Sequence, residues 1–312
     1  MRLFLLFISM IIFNQLSTQN IIAENIFQPQ KPRIVGGIDS VEGEWPWIAA
    51  LVDNYDEAQC GASLIHPRWL ITAAHCIENK SGGWKSTGSF KIVVGLYDLT
   101  KDQEPYRYEI DRFIPHPDYD TYKVDSDIAL IELKKEVPFT YTPIELYKKE
   151  ITNQTGTVLG WGNTVNYNPD DPDNPSYYPI YSDQLKEVLL PIIGMDLCRS
   201  STEYSITDNM FCAGYQDGKK DACDGDSGGP FILLDDNKWK LAGIVSWGEG
   251  CAWPGYYGVY TRIPNFISFI ESYVPLPVQG DIDKNGKVEL KDLLIIFENI
   301  SKTLPKNITE IK

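Results

Sequence analysis

Three side chains of complementary chemistry stand apart in this sequence of 312 residues: His75 in ITAAHC, Asp127 in DSDIALIEL and Ser227 in DACDGDSGGP. A serine hydroxyl is a poor nucleophile at neutral pH, so a base must take its proton as it attacks. Histidine titrates near that pH and can accept the proton, then return it to a leaving amine. An aspartate behind the ring holds the right tautomer and stabilises the imidazolium that forms. Singly, each residue has a plainer reading: a packed histidine, an aspartate capping a strand, a serine in a glycine-rich turn. Together they point to acyl transfer through a covalent intermediate.

Such side chains need a scaffold. From Ile34 to Val274 the sequence is a succession of short β-type runs separated by Gly, Pro, Asn and Asp, among them Phe90–Val94, Ile128–Leu133, Thr157–Leu159 and Leu241–Ser246. This spacing predicts an all-β sandwich or barrel. One helix closes the region: Phe266, Phe269, Ile270 and Tyr273 share an apolar face, and Pro264 stands near its start. Residues 163–181, rich in Asn, Asp, Pro and Tyr, read as a long surface loop. His66 and His116 each precede a proline and read as loop residues without a catalytic role.

TAAHC, GDSGGP, the IVGG beginning at Ile34 and SWGEGC beginning at Ser246 resemble the chymotrypsin/trypsin family of serine proteases over residues 34–274. The order His, Asp, Ser fits that family and differs from subtilisins and α/β-hydrolases. The resemblance implies two six-stranded antiparallel β-barrels with the active site in their cleft, then a helix. It implies that the backbone N–H groups of Gly225 and Ser227 bind the oxyanion and that catalysis needs no cofactor. Asp221 falls at the floor of the specificity pocket, with Ser246 and Trp247 in its lining and Gly248 and Gly258 as walls that must stay small. A buried carboxylate there calls for a cation, which implies protein or peptide substrates cut after Arg or Lys. Two departures matter. Ala222 replaces a frequent serine, which predicts Arg over Lys, and Asp224 replaces a frequent Gln at the pocket's mouth, which disfavours acidic residues near the cut. Gly95 is followed by Leu96 rather than an acid, so no calcium is expected in the first barrel's loop.

The junction Arg33–Ile34 resembles the family's activation site, so residues 24–33 read as a propeptide; the freed Ile34 amine would pair with Asp226. The resemblance also pairs Cys60 with Cys76, Cys198 with Cys212 and Cys223 with Cys251, a choice that spacing alone leaves open. Metal ligation is the alternative, but no cysteines show paired short spacing. Residues 1–23 read as an export signal: Arg2, then an apolar run from Leu3 to Phe13 too short to span a bilayer. No second stretch would anchor the product, and six cysteines suit an oxidising compartment. The expected location is extracellular, or periplasmic in a bacterium. A net charge of -15 argues against a nucleic-acid partner. It suits an enzyme drawn to cationic substrates as well as it suits a merely solvated acidic surface. The rival reading is an inactive protease-like binding protein, but no triad member is missing.

Residues 275–279 read as a linker to a tail, 280–312. GDIDKNGKVELKD offers oxygen ligands at the first, third, fifth and twelfth loop positions, Asp281, Asp283, Asn285 and Asp292, with Gly286 at the sharp turn and the Lys287 carbonyl available. The twelfth position is Asp rather than Glu and no helix enters the loop. This resembles a single dockerin-type repeat, which implies bound calcium and a module that docks. The helix that follows, Leu290–Ile300, is apolar on more than one face through Leu293, Leu294, Ile295, Ile296 and Phe297. That surface must be covered by the protease domain, a second copy or another protein. NKS, NQT, NIS and NIT match the glycan acceptor pattern at Asn79, Asn153, Asn299 and Asn307.

Overall fold

The computed structural model describes residues 34–138, 140–166, 178–275 and 288–303, with backbone alone for Ile296 and residues 298–303. The chain divides into units 1–31 and 32–312, and the first falls outside the described residues. So do Arg33, the segment 276–287 with Asp281, Asp283, Asn285 and Lys287, and most of the loop expected at 163–181.

Two barrel-like sheets dominate. The first runs in the order Arg107–Tyr108, Lys91–Val94, Ile48–Val52, Ala58–His66, Trp69–Thr72, Ala129–Leu133, Ile110–Pro115, antiparallel throughout. The second is built on Lys186–Pro191, Thr155–Gly160, Pro230–Asp235, Lys238–Trp247, Gly258–Arg262 and Met210–Ala213, with the short pieces Ile38–Asp39 and Glu145–Leu146 at its margins. Setting aside the two-residue pieces, each sheet has the six strands expected. Thr157–Leu159 and Leu241–Ser246 lie inside longer strands, because residues beyond the apolar run still complete the ladder, whereas Phe90–Val94 and Ile128–Leu133 each begin one residue before the observed strand.

The patterns explain the pairing. Ile48–Val52 and Trp69–Thr72 are buried throughout, and each reads as a short continuous apolar run. Lys186–Pro191 alternates between buried and more exposed positions, as a strand with one wet face does. Pro230–Asp235 and Lys238–Trp247 are joined by Asp236 and Asn237, whose φ values of 50° and 59° give the doubly left-handed turn that suits the twist of a hairpin. Phe211, Phe231 and Tyr260 pack ring on ring inside the second barrel at centroid distances of 4.9 to 5.3 Å.

The closing helix appears as a 3-10 turn, Ile263–Phe266, running into the α-helix Ile267–Tyr273. His116 sits in a loop as expected, with its ring edge-on to Phe266 and Phe269. His66 does not: it ends the strand Ala58–His66 and is buried, and its Nδ1 accepts from the Arg68 N–H. The apolar run before it carries the strand one residue further than the neighbouring proline suggests, and the turn falls at Pro67 and Arg68.

In the first barrel's loop the guanidinium of Arg107 donates to Glu104 Oε1 at 3.0 Å and Gln103 Oε1 at 2.9 Å and also pairs with Asp56. A side-chain cation thus ties this loop to the neighbouring hairpin. Among the described residues no helix is long and apolar enough to cross a membrane. The tail helix spans Leu290–Thr303, three residues beyond the predicted end.

Candidate active site

His75 and Asp127 come from the first barrel. His75 lies in the one-turn helix Ala74–Ile77, directly after Trp69–Thr72, and Asp127 lies just before Ala129–Leu133. Those two strands pair, which brings residues 52 positions apart into contact. Asp127 Oδ2 lies 2.7 Å from His75 Nδ1, and Oδ1 accepts from the His75 backbone N–H at 2.9 Å. A carboxylate only accepts, so Nδ1 carries the proton and Nε2 is left as the acceptor.

The second barrel closes round the same carboxylate. Ser246 Oγ donates to Asp127 Oδ2 at 2.5 Å, and Thr261 Oγ1 donates to the Asp127 carbonyl at 2.7 Å. Burial alone would raise the Asp127 pKa, but His75 and the Ser246 hydroxyl hold it below the usual carboxylate range. Burial likewise opposes charge on His75, yet the Asp127 carboxylate outweighs it and holds the imidazole above its ordinary value. The imidazole is therefore a stronger base than a free one while its ring edge stays partly open to solvent, at 28% side-chain exposure.

Ser227 belongs to the loop between the disulfide residue Cys223 and the strand Pro230–Asp235. Its carbonyl accepts from the Gly61 N–H at 2.7 Å. Gly61 follows Cys60, which is bonded to Cys76, the neighbour of His75. One disulfide and one hydrogen bond thus connect the serine loop to the histidine. Gly228 has φ +78°, and a Cβ there would lie 2.3 Å from Thr72 Oγ1 and 2.5 Å from the Gly61 carbonyl, so only glycine lets the loop seat against the first barrel. Gly225, at φ +93°, is similarly required. Neither the Gly225 nor the Ser227 N–H donates to an acceptor among the described residues. Two free donors beside a serine suit an oxyanion.

Beside Ser227 opens a cavity of about 70 Å³ whose lining includes Asp221, Ala222, Asp224, Ser246, Trp247, Gly248 and Gly258. Asp221 is buried; its Oδ2 accepts from the Ala252 N–H at 3.0 Å, while Oδ1 has no hydrogen-bond partner among the described residues. Burial pushes its pKa up to about 7. A Cβ at Gly258 would come within 3.0 Å of Oδ1, so any larger residue there would shield the carboxylate. The Tyr260 hydroxyl is also buried without a hydrogen-bond partner among the described residues. Two orphaned polar atoms in one cavity mark a site shaped for a polar or charged guest.

Asp226 is buried and accepts from the Gly162 N–H at 2.8 Å and the Cys223 N–H at 2.9 Å. Burial raises its pKa to about 7 against those two donors, and no cation pairs with it among the described residues. Ile34 is fully buried in the core of the second barrel, and the Val35 carbonyl accepts from the Asp221 N–H at 3.0 Å. Ile34 and Val35 therefore lie against the loop that carries Asp221 and Ala222.

The disulfides are Cys60–Cys76, Cys198–Cys212 and Cys223–Cys251, the pairs that the resemblance implies. Two clusters of possible metal ligands, Cys60 with His75 and Cys76 and Cys223 with Asp224 and Cys251, each spend both sulfurs in a disulfide and offer no thiolate. In the tail, Asp292 is buried at the start of its helix and its Oδ2 accepts from the Glu289 N–H at 2.7 Å.

Reading the sequence by position puts Ser246 in the pocket lining; it does line the cavity, but its hydroxyl is turned onto Asp127. Position alone also overlooks Tyr260, although the run from Gly258 to Tyr260 carries it into the pocket floor. It overlooks the hairpin Glu78–Asn79 with Gly83–Trp84 beside His75, where Glu78 accepts from Tyr119 at 3.1 Å and Thr121 at 2.7 Å. Polar residues placed soon after His75 were the available signal for that hairpin.

Residues 34–270 match the family model described as Trypsin. Over 250 residues the chain is 38% identical to transmembrane protease serine 5 of Homo sapiens, covering 78% of this chain and 52% of that protein. It is 33% identical over 252 residues to vitamin K-dependent protein C of Mus musculus, with 78% and 52% covered. The chain thus spans about half the length of the curated relatives it matches.

Proposed function

The chain belongs to the trypsin family of serine proteases, and on that premise we propose a secreted endopeptidase that cuts after Arg, more slowly after Lys, and is made as a zymogen. The observation that carries the specificity is the buried Asp221 with one oxygen unpartnered in the cavity beside Ser227. A guanidinium can bridge such a carboxylate in two-pronged fashion. With Ala222 in place of a hydroxyl residue, an ammonium has one donor-acceptor partner fewer. The exposed Asp224 at the mouth repels acidic residues near the cut.

In the proposed reaction Ser227 Oγ attacks the scissile carbonyl while His75 Nε2 takes its proton. The Gly225 and Ser227 N–H groups hold the oxyanion. The imidazolium then protonates the leaving amine, and water enters by the same route to release the acid and regenerate Ser227. No cofactor has a part in these steps.

Export of residues 1–23 and cleavage of 24–33 after Arg33 complete the proposal. Asp226 supports it, since a buried carboxylate raised to about 7 is a poor ion until the freed Ile34 amine reaches it. The pair acts as a switch more than as a source of stability, because desolvation offsets most of its attraction. One experiment tests both parts. A chain beginning at Ile34 should hydrolyse Arg amides fastest, then Lys, with Phe far behind; the precursor and a Ser227→Ala chain should not. Equal Arg and Lys rates would refute the preference, and a precursor as active as the cleaved chain would refute the switch.

The tail, 280–312, is proposed as a calcium loop and helix joined through 275–279, in which Asp281, Asp283, Asn285, the Lys287 carbonyl and Asp292 supply oxygens. Its supports are the ligand spacing and the burial of Asp292 beside the loop's end. Leu290, Leu293, Leu294 and Phe297, at one helical stripe, are exposed and form the proposed docking face, against this chain's own protease domain or a partner protein. Titration of the full chain with calcium should give heat for one site, absent from an Asp281→Ala/Asp283→Ala chain. No difference between the two refutes the site.

A further inference from the structure

The turn that carries Asp127 is strained. Val124 and Ser126 have φ values of 51° and 53°, a left-handed conformation that is rare for any side chain and worst for a β-branched one. Within the turn, Asp120 and Asp125 exchange backbone bonds at 3.0 and 3.2 Å, the Tyr122 and Lys123 N–H groups donate to Asp120 Oδ1 at 3.0 and 3.1 Å, and the Ile128 N–H donates to the Ser126 carbonyl at 2.8 Å. The side chains of Asp125 and Ser126 are met from the second barrel.

Thr207 Oγ1 donates to Asp125 Oδ1 at 2.6 Å. Asn209 Nδ2 lies 3.2 Å from Asp125 Oδ1, 3.3 Å from Oδ2 and 3.4 Å from Ser126 Oγ. Asn209 is itself fixed: its carbonyl accepts from the Arg262 N–H at 2.8 Å and its Oδ1 from Asn265 Nδ2 at 3.2 Å. It leads into the strand Met210–Ala213, whose partner Gly258–Arg262 contains Thr261, the donor to the Asp127 carbonyl. A strained turn of one barrel is thus gripped by a rigid element of the other, on both sides of the catalytic carboxylate.

We propose that Asp125 is a positioning residue: its carboxylate, held by Thr207 and Asn209, latches the first barrel's turn onto the second so that Asp127 stays aimed at His75. The inference rests on the triad reading above. Without the latch the turn relaxes toward ordinary backbone angles and the Asp127 carboxylate moves relative to the imidazole. Misplacement by about 1 Å in such a site costs on the order of a hundredfold in rate. The specificity pocket lies on another loop, so substrate affinity should be spared.

The test compares the full chain, cleaved at Ile34, with its variants on one Arg amide. Asp125→Ala should lower kcat by about tenfold to a hundredfold with KM within about twofold. Asp125→Asn keeps an acceptor for both donors and should recover most of the loss, which a merely space-filling role would not produce. Wild-type kcat in Asp125→Ala, or equal losses in the Ala and Asn variants, overturns the latch. If Asp125→Ala does not fold, Thr207→Val and Asn209→Ala decide: lowered kcat at unchanged KM supports the latch, and unchanged kcat in both overturns it. An inactive wild-type chain would refute the triad reading instead.

Discussion

Asp127→Asn should fold normally and lower kcat about ten-thousandfold, the size of loss this substitution has in serine-protease triads. The surroundings dictate how. The His75 backbone N–H points at Oδ1 and cannot turn, so the amide oxygen must take that place. The amide nitrogen is then forced to the Oδ2 position, facing His75 Nδ1 and Ser246 Oγ. It donates to Nδ1, and the imidazole proton moves to Nε2, where an acceptor for the Ser227 proton is required. Ser246 only rotates its hydroxyl to accept, so the fold survives. The pH profile offers a second reading. The Asp127 carboxylate holds the His75 pKa above its ordinary value against the effect of burial. A neutral amide withdraws that support, so the acid limb of the kcat/KM profile moves to lower pH while the plateau falls. Measured kcat within tenfold of wild type would refute the role given to Asp127.

The features legible in the sequence and those hidden from it differ in physical kind. Apolar runs such as Ile48–Val52 announce buried strands because burial needs nothing but their own side chains. The triad is readable because each member sits in a short stretch with demanding neighbours; Gly225 and Gly228, for instance, are required by positive φ and by backbone a few ångströms away. The Ser246–Asp127 bond joins residues 119 apart and the Thr207–Asp125 bond residues 82 apart. Neither has a local pattern, since serine, threonine and asparagine are common in turns for unrelated reasons. They become visible only when two barrels meet. His66 shows the same limit on a small scale. Its proline neighbour predicts a loop, but the ladder with Trp69 holds it in the sheet.

Asp221→Asn should lower kcat/KM for an Arg amide by about thirtyfold to five-thousandfold, as expected when one partner of a desolvated charge pair worth about 2–5 kcal/mol is removed. A Phe amide should be cut at a nearly unchanged rate. The same substitution should make the ligand-free enzyme more stable near neutral pH, because the charge it removes is unmatched there. The Asp221 carboxyl has a folded pKa of about 7, raised by burial against the Ala252 and Ala222 N–H groups, and an unfolded value near 3.9. The folded state therefore holds its proton more tightly than the unfolded one. By linkage, stability falls as pH rises from about 4 to about 7 and stays reduced above that. Asp226 is raised in the same direction but is present in both chains, so the difference between wild type and variant isolates Asp221. The gap in Tm should be smallest near pH 4 and open by pH 7, and a saturating arginine-like ligand should close it by binding the wild type alone. A gap independent of pH, or equal losses on Arg and Phe substrates, would refute the assignment. The pocket's specificity and its cost to the empty enzyme then have one cause: a buried carboxylate with one oxygen turned toward the place of a cation.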